Sequence, residues 1–171
     1  MVMYKEQIPL VPAEEIGFHF GLVVAPARSF LFYKVRTSEV RPPAGYGTQI
    51  YDPKYEPNAA FRNLGLPLSL KIEPVAKFES SEDLMDALRQ IEERNGNGLL
   101  CFNHGALVDE PNRDWGHVVV FDRIVEGQVR IIDPSPDHPK WRQVEVGKLL
   151  QAMKKHGVER SAGIWSITKT T

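Results

Sequence analysis

"GHVVVFDRIVEGQVRIIDPSP", residues 116 to 136, is the stretch whose reading decides the fold. Apolar residues on both sides of Glu126-Gly127 read as two antiparallel strands joined by a two-residue turn. His117 opens the first strand and Asp133 closes the second. An imidazole titrates near neutrality, at about 6.5 when unperturbed, and a neighbouring carboxylate can fix its tautomer and orientation. That pairing is what a hydrolase uses as general base and orienter. A plainer account also fits, with His117 at a strand edge and Asp133-Pro134 starting a turn. Counting outward from the turn sets Asp133 opposite Val120, three residues from His117. A β-bulge is needed to bring the two side chains together.

Working outward, "RQVEVGKLLQAMKKHG" (142–157) reads as a short strand and a helix with basic residues at its end, and "AGIWSITK" as a last strand. Upstream, "LLCFNHGAL" (99–107) is a buried strand followed by the polar loop "VDEPNRD". "SSEDLMDALRQIEERNGNG" (80–98) is a helix capped by Ser80 or Ser81, with Leu84, Leu88 and Ile91 on its buried stripe and Asn95-Gly96 as its stop. "LSLKIEPVAKF" alternates as a strand, and "AAFRNLGL" is a short helix ended by Gly65. Residues 36 to 58, with four prolines and two glycines, read as a long loop. "FHFGLVVAPARSFLFYKV" (18–35) is apolar enough for a buried helix over 19 to 34, kinked or divided at Pro26, although a strand has the same composition. "PLVPAEEIG" is expected to be an extended lead-in. A helix-rich first half and an antiparallel second half make an α+β layout, expected as one domain over 1–171.

The 171 residues suffice for one well-filled core. Lys+Arg 21 against Asp+Glu 22 leaves a net charge of -1, which points away from nucleic acid and from anionic membranes as partners. The N-terminal stretch carries Glu6, Glu14 and Glu15 and does not read as a signal peptide, so a cytoplasmic location is expected. The single cysteine, Cys101, excludes an intramolecular disulfide.

Cys101 sits mid-strand among Leu99, Leu100 and Phe102, without the positive surroundings that form a thiolate, and reads as a core residue. His19, His104, His138 and His156 show no metal spacing. Asp109, Glu110 and Asp114 read as a solvated acidic loop rather than a cation site. No metal or cofactor is expected. Tyr46, Tyr51, Tyr55 and Trp115 either line a cleft for an extended peptide or roof the core.

Taken together, "VPAEEIGFHFGLVVAPARSF", "FRNLGLPLSL", "GHVVVFDRIVEGQVRIIDP" and the tail "VEVGKLLQAMKKHG…AGIWSI" resemble the papain-like cysteine peptidase-like family typified by bacteriocin-leader (double-glycine) processing domains. The resemblance implies a papain-like fold, with His117 as base and Asp133 as its orienter. It sets Phe20 where the nucleophilic cysteine would stand, at the start of a long helix, and Glu14 at the oxyanion-hole position. A phenylalanine cannot attack a carbonyl, and an ionised glutamate opposes an oxyanion. The expectation is a catalytically degenerate peptidase-like domain that keeps a cleft for a peptide or protein segment. Two rivals are an active hydrolase or acyltransferase in which Cys101 or Ser29 serves His117, and a structural partner subunit or small-molecule binder.

Overall fold

The computed structural model describes residues 1–42, 45–135 and 138–170. In chain order the elements are α1 (Val2–Lys5), α2 (Ala13–His19), β1 (Val23–Val24), β2 (Arg36–Thr37), α3 (Pro57–Asn63), β3 (Leu68–Pro74), α4 (Ser81–Glu93), β4 (Asn97–Asn103), α5 (His104–Val108), β5 (Gly116–Val125), β6 (Gln128–Ile132), β7 (Trp141–Val144), α6 (Val146–His156) and β8 (Gly163–Lys169). They form two compact units, Met1–Leu70 with Lys169–Thr171, and Lys71–Thr168.

The second unit carries the sheet, in the order β3-β8-β4-β5-β6-β7, antiparallel across every pair from β8 to β7. The turn residues Glu126 (φ 51) and Gly127 (φ 77) both take the left-handed conformation that a tight hairpin requires. Helix α4 starts at a reciprocal cap: Ser80 Oγ accepts from Asp83 N–H, and the Asp83 carboxylate accepts from Ser80 N–H. Leu84 and Leu88 of α4 and Leu149 and Met153 of α6 are fully buried with Leu100, Phe102, Val119, Val129 and Ile131 of the sheet. That is the core expected from the periodicity. No helix among the described residues is long and apolar enough to cross a membrane.

The first unit departs from the reading at its most apolar stretch. Residues 19 to 34 do not form the expected helix. The helix lies upstream, as α2, so the lead-in is helical from Ala13 onward rather than extended through Gly17. Glu14 and Glu15 favour a helix start there, and Gly21 (φ 74) turns the chain out after His19. A side chain at Gly21 would put its Cβ 2.5 Å from the Tyr55 ring, so glycine is required for space as well as conformation. Beyond it, β1 pairs in parallel with β2, and Pro26–Leu31 form a 3₁₀ helix. The expected loop of 36 to 58 contains β2, a 3₁₀ turn at Pro53–Tyr55 and the start of α3, and its residues 43 and 44 lie outside the described residues.

Candidate functional site

Strand β5 carries His117, and the end of β6 carries Asp133. His117 Nε2 lies 2.7 Å from Asp133 Oδ1. The pairing is in register from Val125↔Gln128 to Arg123↔Arg130, slips between Phe121 and Arg123, and resumes at Phe121↔Ile131 and Val120↔Ile132. Carried one residue further, that register sets Asp133 opposite Val119. Val119 and His117 are two apart and share a face, so the bulge at Asp122 converts opposite faces into the same face. Asp122 itself accepts from Arg130 Nε at 2.6 Å, which anchors the bulge.

The Asp133 side chain is fully buried. Its Oδ1 also accepts from Ser135 N–H at 2.9 Å, and its Oδ2 from Arg142 at 2.7 Å. Burial alone would raise this carboxyl. The hydrogen bonds from Ser135 and His117 and the charges of His117 and Arg142 outweigh it and hold Asp133 below its ordinary value. An ionised carboxylate only accepts, so the His117 proton resides on Nε2. In the neutral form of the ring Nδ1 presents a lone pair, and it makes no hydrogen bond among the described residues. Two rings stand nearly perpendicular to His117: Phe102, its cross-strand partner, at 5.9 Å and 75°, and His104 at 4.7 Å and 74°.

Sequence reasoning missed Arg142 and His104. Arg142 pairs with Ile131, which sets it on the Asp133 face, but that register is invisible without the β6–β7 alignment. His104 was expected inside a strand. The strand stops at Asn103, whose side chain accepts from Ala106 N–H at 2.9 Å and caps α5, so His104 opens a helix instead.

Cys101 is directly paired with Val118, so it projects from the opposite face of β4 to Phe102 and His117. Burial pushes its thiol up to about 12. Ser29 donates its hydroxyl to Pro26 O at 2.8 Å. Phe20 is the C-cap of α2, not a helix start; its carbonyl accepts from Gln49 N–H and its ring lies 5.8 Å from Phe61. A helix C-terminus carries negative partial charge, the reverse of what favours a thiolate. Glu14 lies in the first turn of α2, half-buried. Tyr46, Tyr51 and Trp115 are exposed and Tyr55 half-buried. In the acidic loop, Asp109 pairs with Lys148, Glu110 with Arg113 and Asp114 with Asn103, and no group able to hold a metal ion occurs among the described residues.

No protein-family description matches the sequence, and neither does any curated protein. The solved structure of a C39-like peptidase candidate from Bacillus anthracis matches 99% of this chain and 85% of its own, with a TM-score of 0.54 and 16% identity. The fold is papain-like. Within that papain-like α+β fold, the His117–Asp133 pair is built by the antiparallel second unit alone, from a bulged hairpin and an arginine on the next strand.

Proposed function

We propose that the chain is a catalytically degenerate cysteine peptidase-like domain that keeps its His117–Asp133 pair to bind an extended peptide or protein segment. One observation supports this above the others: the single cysteine projects from the far face of β4, with its thiol raised to about 12. A base without a thiol is still useful. With its proton held on Nε2 by Asp133, the ring offers Nδ1 as a directed acceptor for an N–H of a bound backbone. In this reading Phe20 and Glu14 stand at the nucleophile and oxyanion positions by resemblance.

The test is to incubate the full chain with a casein digest, following the peptides by mass spectrometry and the His117 ring by NMR. Peptides should move the His117 resonances and leave with unchanged masses. Cleavage that His117→Ala abolishes would restore the hydrolase reading. Unmoved resonances would remove peptide binding.

A further inference from the structure

The imidazole of His104 is buried to 1% exposure, at the junction of β4 and α5. It stacks on Trp115 at 5.5 Å and 12° and stands edge-on to His117. Among the described residues, its ring makes one polar contact, from Nε2 to Nε2 of His138 at 3.2 Å. Nδ1 is buried without a partner among them.

Two imidazole nitrogens at that distance need one proton between them, and chemistry says which ring supplies it. Burial, together with the charges that His117 and His138 would carry, pushes His104 down to about 4, so it is neutral at ordinary pH. A proton on Nδ1 would leave a buried N–H with no acceptor, whereas a proton on Nε2 leaves only an unused lone pair. Orphaned buried N–H groups are the rarer and costlier of the two. His104 Nε2–H therefore donates to His138.

His138 belongs to the segment joining β6 to β7, the segment that also supplies Ser135 N–H to Asp133. Asp133 N–H donates to Lys140 O at 2.8 Å, closing the same segment at its base. A phenylalanine at 104 would fill the space without an unmatched nitrogen. It would also leave this segment untied.

We propose that His104 is a positioning residue for His117: by donating to His138 it holds His138 and, two residues on, the Lys140 carbonyl that accepts from Asp133 N–H, and with it the Asp133 carboxylate, so that His117 keeps one tautomer and one ring orientation. The proposal rests on the reading of His117 as the group that meets the ligand.

The experiment uses the full chain with 15N-labelled histidine and long-range proton–nitrogen correlation near neutral pH. The native protein should show His117 as a single tautomer, protonated on Nε2. In a folded His104→Phe variant the two ring nitrogen signals of His117 should draw together, and its ring N–H should exchange faster by about tenfold. His104→Gln, which keeps a donor within reach of His138, should restore the native pattern. Should His104→Phe fail to fold, His138→Ala decides, because it removes only the acceptor from a half-buried position; it should change His117 in the same way. Native nitrogen shifts and exchange at His117 in either folded variant would overturn the proposal. The readout needs no peptide, so a failure of peptide binding and a failure of this positioning role are separately visible.

Discussion

The two units solve the problem of satisfying their backbones in different ways. In the second, the ladder of six strands and two long helices pairs the main-chain groups of the core, and apolar side chains fill the interior. The first has few ladder bonds, and polar side chains do the work. Asn58 accepts from Leu70 N–H and donates to Leu70 O, at 2.6 and 3.0 Å. Gln49 donates to the carbonyls of Gly45 and Gly47. Arg36 donates to Phe18 O and lies over the Phe18 and Tyr55 rings. Large apolar residues meanwhile remain in solvent, Phe30 at 80% and Tyr33 at 65%. Buried backbone must be paired by something, and where the repeat is too short to pair it, individual side chains become structural.

That contrast can be broken by substitution. Asp133→Ala carries the largest expected effect, because it leaves Arg142 and His117 facing a buried position without their acceptor. The expected loss is about 3 to 5 kcal/mol in urea unfolding. A loss below about 1 kcal/mol would mean that the second unit does not depend on this polar centre. Asn58→Leu comes next. It preserves side-chain size but strands the Leu70 N–H and C=O, and about 1 to 3 kcal/mol should be lost. A neutral result would show that the first unit is held by apolar contact after all.

The gentlest probe is pH. His104 and His156 are both lowered by burial, so between about 6.5 and about 4 the unfolded chain holds protons at residue 104 that the folded chain refuses. Stability therefore rises with pH across that window and falls as pH drops through it. Asp133 is a depressed carboxyl, so its contribution is present above the ordinary carboxyl range and disappears only at lower pH. Urea midpoints measured against pH should decline from about 6.5 downward, and His104→Phe should flatten that decline by one proton. An unchanged slope would mean that His104 titrates normally.

The same contrast explains what could be read from the sequence. Alternation in 116–132 and the three- and four-residue spacing of Leu84, Leu88 and Ile91 belong to elements whose apolar face packs on the core, so pattern and structure coincide. Residues 18–35 are equally apolar, yet their environment is set by Gly21, Pro26 and tertiary contacts, and periodicity carries no record of those. The His117–Asp133 pair was legible because both residues lie at the ends of one hairpin. Arg142 and His104 were not, since each reaches the site through a register or a helix start that only the folded chain displays. Phe20 shows the converse: a motif-like position was legible, but its place at a helix end was not.

The bulge at Asp122 makes pairing register, and not only residue identity, part of the site. A strand counts in twos, and one unpaired residue shifts the phase of everything beyond it. A hairpin that paired regularly through Asp122 would keep His117, Asp133, Ser135 and Arg142 in unchanged order but set Asp133 opposite Val120. It would turn the carboxylate toward the face that Cys101 occupies and leave the imidazole alone on its own. A related sequence one residue shorter at 122 would need no bulge, because plain counting from the turn then already sets Asp133 opposite Val119.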